Sequence, residues 1–296
     1  SQPNADAQET VDAFTARYPD VDVEWFRDGT TRVMAKLEAE FAAGNPQPDL
    51  LLIADTVTME DLKQQGRLMP HPEADVSAYD AQLMDDEKHY FSTKLITTGI
   101  MYNTEGDAEI TSWNDLTDPA LEGLIAMPSP LTSGAALIHL ATLTQNPDFG
   151  WDYYQALADN DALAQGGNGA TFRAVAGGEK SVGIVIDYLP IRESLAGAPV
   201  EFVFPEEGVS AVTEPVAILS TANNPEAAKA FVDFLLSPAG QELASSQGYI
   251  PAHPDVALPE GFPDRETIKL MPFDPAEALA NADENKMRFA EMFGVN

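Results

Sequence analysis

Cysteine is absent from the 296 residues, which excludes disulfides, thiolate nucleophiles and cysteine-based metal sites. Histidine is scarce: His71, His89, His139 and His253 stand far apart, with no HxH or HExxH spacing to hold a metal. No apolar run approaches the ~18 residues that a membrane-spanning helix needs. A GxSxG elbow, a GxxxxGKS/T loop and a GxGxxG following a strand are all missing, so nothing marks a nucleophile or a nucleotide cofactor. Basic residues number only 16 against 48 acidic ones, a formal charge of −32. Such a field repels nucleic acid and anionic membranes, and neither is expected as a partner.

The acidic excess suits surroundings rich in salt, where a short Debye length screens self-repulsion. Any anionic ligand must then be held by local dipoles and N–H groups, because the global field opposes it. The composition, 44% hydrophobic with no low-complexity tract, is that of a globular chain large enough for two lobes. No secretory leader is visible, as in a processed chain.

Helical and strand patterns alternate along the sequence. ADAQETVDAFTARYPD has helical spacing, and VDVEWF (21–26) has strand character. VMAKLEAEFAAG predicts a second amphipathic helix, and DLLLIA (49–54) a buried parallel strand. LITTGIMYN (95–103), SVGIVIDYLP (181–190) and VTEPVAILS extend the strand set, with GAALIHLATLTQ and PEAAKAFVDFLLSPAGQELASSQG as helices between and after them. The alternation predicts an α/β fold with mostly parallel sheets. Ser1-Gln2-Pro3-Asn4 reads as the loop after a strand, so a short strand ahead of Ser1 is expected.

Three helix starts share one composition. Thr132-Ser133-Gly134-Ala135 precedes an apolar helix, Asp28-Gly29-Thr30-Thr31 precedes another, and Gly167-Asn168-Gly169-Ala170-Thr171 a third. Small residues let a ligand approach the backbone, and hydroxyl or amide groups add donors to the unpaired N–H groups of a first turn. Simple capping explains each start equally well, since Ser, Thr and Asn are ordinary caps. Ligands of open α/β sheets bind outside the carboxyl ends of strands, where these loops lie.

The stretches DLLLIAD, TSWNDLTDPALEGLIAMPSPLTSGAA, AVAGGEKSVGIVIDY and NPEAAKAFVDFLLSPAGQELASSQGYIPAHPDV resemble the periplasmic substrate-binding proteins of ABC importers. They are most similar to the ferric-ion-binding-like branch of the type II fold. That resemblance implies two α/β lobes, residues 1–97 with 208–255 and residues 98–207 with 256–296. It implies strand crossovers near Thr97-Thr98-Gly99 and near Pro205-Glu206-Glu207. It further implies a monomer in the periplasm, no cofactor, and delivery of ligand to an inner-membrane permease, not catalysis.

At the positions of that branch's four iron ligands stand Pro3, Ala54, Tyr188 and Leu189. Three of the four are lost, and hard Fe(III) needs several anionic oxygens, so no metal is expected. The branch's anion pocket is kept in Ser133-Gly134-Ala135 and Asn168. EWFRDGTTRVMAKLEAE and the acid–Tyr pair ending SVGIVIDY resemble the 2-aminoethylphosphonate-binding group in particular. The resemblance therefore implies a phosphonate on Thr30, Thr31, Ser133, Gly134, Ala135 and Asn168. It implies an ammonium on Asp187 and Glu214, with Tyr188 between the two ends. Ser1, Asp55 and Glu206 are weaker additions, and Arg27 is expected to brace its turn. A sugar phosphate or inorganic phosphate is the alternative ligand, and a phosphonate-processing enzyme the alternative of another class.

Overall fold

A computed structural model describes residues 2–106 and 109–295. From the amino terminus run α1 (Asn4–Arg17), α2 (Thr30–Ala42), β1 (Leu50–Leu52), α3 (Thr56–Gln64), β2 (Leu68–Met69), β3 (Tyr90–Ser92) and β4 (Lys94–Asn103). Then come β5 (Ile125–Met127), α4 (Gly134–Gln145), α5 (Gly150–Asp159), β6 (Leu163–Ala164), α6 (Asn168–Ala176), β7 (Val182–Ile186), α7 (Tyr188–Leu195), β8 (Val200–Val203) and β9 (Ser210–Val212). The chain ends with β10 (Pro215–Leu219), α8 (Pro225–Leu236), α9 (Pro238–Ser246), β11 (Ile250–Pro251) and α10 (Pro275–Phe293).

The chain divides into two compact units. Unit 1 comprises residues up to Leu95 with Thr213–Pro259, and unit 2 comprises Ile96–Val212 with the residues from Glu260 onward. Pro205–Glu207, where a crossover was expected, lie inside unit 2. The β9 strand that follows them still pairs with β4, Ile96 opposite Val212 and Thr98 opposite Ser210, so the chain leaves the unit only after Val212.

In unit 1, β10 is central and pairs antiparallel with β1, β2 and β3. Its core gathers Leu37, Leu51, Ile53, Met59, Leu62 and Leu219. In unit 2, β4 pairs with β7, β8 and β9, while β7, β5 and β6 are parallel neighbours. Helix α4 is apolar on every side, and Gly134 through Leu143 are all buried, as an all-round apolar helix must be. It packs in a core with Trp113, Ile125, Leu140, Tyr154, Ile184 and Phe289.

Five sequence expectations change in the structure. The sheets are not mostly parallel: among the described strands only β5 runs parallel to its neighbours β6 and β7, and β1, expected as a parallel strand, pairs antiparallel with β10. VDVEWF forms no strand; residues 19–29 run without ladder partners. VTEPVAILS is broken into β9 and β10 at Glu214, whose φ of 35° lies in the left-handed region and is followed by Pro215. The long helix after Asn224 is two helices, because Pro238 has no N–H to continue the ladder and Ser237 caps the second helix by accepting from Gly240 N. Asp187 and Tyr188 do not end a strand: Asp187 is the cap of α7, and Tyr188 is its first residue.

Candidate anion-binding site

The parallel order β7–β5–β6 places three strand-to-helix turns at the same end of one sheet. They open α4, α6 and α7. Hydrogen bonds tie them together. Thr132 Oγ1 donates to Gly166 O (2.8 Å), Asn168 Nδ2 donates to Ser133 Oγ (3.3 Å), and Ile186 N donates to Asn168 Oδ1 (3.2 Å). One asparagine thus links all three turns.

The remaining hydrogen-bonding capacity of this cluster is of one sign. Ser133 Oγ accepts from Ala136 N (3.3 Å) as well as from Asn168, so its lone pairs are engaged and its own O–H is left to donate. The Ser133 carbonyl takes Leu137 N, while the first-turn N–H groups of Gly134 and Ala135 have no partner among the described residues. In α6 the first intrahelical bonds run from Ala170 N and Thr171 N to Gly167 O, which leaves the N–H groups of Asn168 and Gly169. Ser133 and Asn168 are half-buried, and Gly134 and Ala135 are buried. Partly desolvated N–H and O–H groups at two helix N-termini attract negative charge without any Lys or Arg.

The third turn is closed. Asp187 is only 1% exposed, and its carboxylate accepts from Thr97 N (2.9 Å), Thr97 Oγ1 (2.8 Å) and Tyr188 N (2.6 Å). Burial outweighs these bonds and pushes its carboxyl up to about 7. Tyr188 is buried, with the Arg192 guanidinium 4.9 Å from its ring centre.

Glu214 belongs to unit 1 and is fully buried. Lys94 Nζ lies 2.7 Å from its carboxylate and 4.0 Å from the centre of the Tyr249 ring. Burial would raise this carboxyl, but the lysine beside it wins and holds it below the ordinary carboxylate range. Both acids assigned to an ammonium therefore already have internal partners, and they lie in different units. The signal for this was present in the sequence: Lys94 opens an apolar strand pattern, and a lysine buried there requires an acid.

The other assigned residues are dispersed. Thr30 and Thr31 open α2 in unit 1, Thr30 buried and Thr31 exposed, behind a turn in which Asp28 Oδ1 accepts from Gly29 N (2.7 Å). Arg27 Nε donates to Gln2 O (3.0 Å), which braces the start of α1. Asp55 caps α3 by accepting from Thr58 N (3.1 Å) and from the Thr58 hydroxyl. Glu206 is exposed, and only its backbone is held, N to Thr111 O (3.0 Å). Ser1 lies outside the described residues. Two residues not assigned a site role take part in its architecture: Thr97, which seats Asp187, and Thr132 of the first motif, whose exposed hydroxyl locks the first turn to the second.

Comparison with known proteins shows which family the fold belongs to. The family model of bacterial extracellular solute-binding proteins matches residues 45–278. An uncharacterized protein of Haemophilus influenzae is 32% identical over 260 residues, covering 84% of this chain and 74% of its own. The Escherichia coli spermidine/putrescine-binding periplasmic protein is 24% identical over 250 residues, covering 74% and 70%. Among solved structures, the periplasmic binding protein AfuA of Actinobacillus pleuropneumoniae, with exogenous fructose-6-phosphate bound, superposes with a TM-score of 0.88. It is 27% identical, with 100% of this chain and 97% of that one covered. No helix of the described residues is long and apolar enough to cross a membrane. The chain belongs to the bacterial extracellular solute-binding proteins: it has the two-lobe α/β fold of the type II periplasmic binding proteins and serves an ABC importer as a carrier, not an enzyme.

Proposed function

We propose that the chain captures a small organic anion carrying a phosphoryl or phosphonyl group and passes it to its permease. The observation that carries this reading is the donor set of unit 2. The N–H groups of Gly134, Ala135, Asn168 and Gly169, the Ser133 hydroxyl and the second Asn168 amide hydrogen all donate, and none accepts. A tetrahedral anion offers three oxygens to such a set, and charge-assisted bonds of this kind are about twice as strong as neutral ones.

The occupied state of Asp187 and Glu214 favours a sugar phosphate as the ligand. Both carboxylates are buried and already partnered inside the fold, Asp187 by Thr97 and Tyr188 and Glu214 by Lys94. The fructose-6-phosphate seen in AfuA supports the same class. 2-Aminoethylphosphonate is the second reading, favoured by the EWFRDGTTRVMAKLEAE and IDY stretches. In it the ammonium rests against the Tyr188 ring and the helix-capping Asp187.

Isothermal titration calorimetry at high salt separates the readings, with fructose 6-phosphate, glucose 6-phosphate, 2-aminoethylphosphonate, ethylphosphonate and phosphate injected in turn. A hexose phosphate binding 1:1 at micromolar affinity or better supports the first reading. Tight 2-aminoethylphosphonate with weak ethylphosphonate supports the second. Binding of none of the five refutes the phosphoryl assignment.

A further inference from the structure

Unit 2 encloses a small cavity of about 10 Å³, bounded on one side by the loop that leads to Ser133. Thr98 of β4, Pro128 and Pro130 of the loop, Ala136 and His139 of α4 and Tyr154 of α5 line it. The space is about that of one water-sized sphere.

Two polar side chains on its wall are firmly held and yet incomplete. His139 is 4% exposed, and its Nδ1 shares a hydrogen bond with Ser210 Oγ (2.9 Å). The Trp113 ring lies 4.8 Å from the imidazole, centre to centre, and Trp113 is itself fixed by donating from Nε1 to Gly208 O (2.8 Å). The imidazole is thus held in place, and its Nε2 is buried with no partner among the described residues. Tyr154 is 2% exposed and packed by the rings of Tyr153 and Phe289, at 5.7 and 6.0 Å. Its hydroxyl likewise has no partner among the described residues. Buried polar atoms in native folds almost always have a hydrogen bond, because leaving one unmade forfeits its hydration for nothing. Pro128 and Pro130 cannot donate one, having no N–H.

The walls also limit what the occupant is. Among the described residues no Asp, Glu, Lys or Arg lines the cavity. Burial pushes the His139 imidazole down to about 3, so the ring is neutral. An ion of either sign would find no counter-charge there. A neutral imidazole carries one N–H and one lone pair, and a phenol both donates and accepts. The molecule that fits is neutral, has room for a single heavy atom, and donates and accepts at once.

We propose that the cavity holds one structural water, bound between His139 Nε2 and the Tyr154 hydroxyl. The water completes both side chains. It also ties α4, whose first turn carries Gly134 and Ala135, to α5.

The test has two arms. The first is a crystal structure at a resolution that orders internal water. The expected result is a water peak within about 2.7–3.2 Å of both His139 Nε2 and Tyr154 Oη. The second arm counts long-lived internal waters in solution by 17O relaxation dispersion, which exchange of hydroxyl protons does not mimic. Ala136→Val fills the cavity from α4 and is expected to lower the count by one. Tyr154→Phe leaves the water a single partner and is expected to lose it as well. A direct His139–Tyr154 hydrogen bond with no water peak between the two overturns the proposal. So does a count that neither variant changes. If Ala136→Val fails to fold, the crystal structure and Tyr154→Phe decide the matter.

Discussion

The turns that open α4 and α6 differ from the buried carboxylates Asp187 and Glu214 in one respect: what their polar groups have left to bind. At Ser133 and Asn168 every acceptor is engaged and the donors remain. At Asp187 and Glu214 the carboxylates are sealed and supplied with internal partners. Residue type alone makes an acid look like a cation ligand. Capacity left over after folding separates a binding group from a structural one, and it points to an anion held by N–H and O–H groups.

The largest effect should come from breaking a sealed pair. Glu214→Gln leaves Lys94 buried without its counter-charge, which costs about 3–5 kcal/mol. Denaturant unfolding should show that loss, and the double variant with Lys94→Met should recover much of it. If Glu214→Gln instead abolishes ligand binding and leaves stability unchanged, the carboxylate is a ligand and the division above fails.

The open donors should behave oppositely. Asn168→Ala removes a charge-assisted donor and the link between three turns. Hydrogen bonds to charged groups are worth about 1.5–3 kcal/mol, so the ligand's affinity should fall roughly tenfold to hundredfold by calorimetry. Ser133→Ala should weaken binding similarly and also cost about 1 kcal/mol of stability through the lost cap.

Asp187 offers a pH signature. Its carboxyl is raised from 3.8 to about 7 by burial, so the protonated form is favoured by folding. Its stabilising contribution is full below pH 3.8 and is lost as pH rises through 7. Asp187→Asn keeps an acceptor for Thr97 and cannot ionise. Between about pH 4 and 7 the wild-type unfolding temperature should therefore fall relative to that of the variant. Parallel curves would mean that Asp187 does not titrate in this range.

The smallest effect concerns the charge of −32, shared by both regions. Raising salt shortens the Debye length to about 3 Å at 1 M and relieves self-repulsion. Unfolding temperature and the association rate of an anionic ligand should both rise with NaCl, the reverse of the slowing seen when opposite charges attract. Stopped-flow fluorescence of the tryptophans would record the rate.

The α/β class and the composition of the anion turns were legible in the sequence. Gly134–Gln145 was read to the residue because an all-apolar pattern after Ser-Gly has one physical solution, a buried helix with a cap. Ser133 and Asn168 stand out in the sequence because small residues and caps at strand-to-helix turns form a local signal. The surroundings of the two acids were not legible, because burial and partners are non-local. Thr97 stands 90 residues from Asp187, and Lys94 is 120 residues from Glu214. Residues 21–26 carry a strand's alternation, but alternation supplies only one side of a ladder. No partner strand lies beside them among the described residues.

The most direct test of the account is a titration of the 15N-labelled protein with fructose 6-phosphate, following the amides of Gly134, Ala135, Asn168 and Gly169. These N–H resonances should move downfield together and saturate at one equivalent, while Thr97 N–H, already bound to Asp187, moves little. Saturable binding that leaves those four amides in place would contradict it.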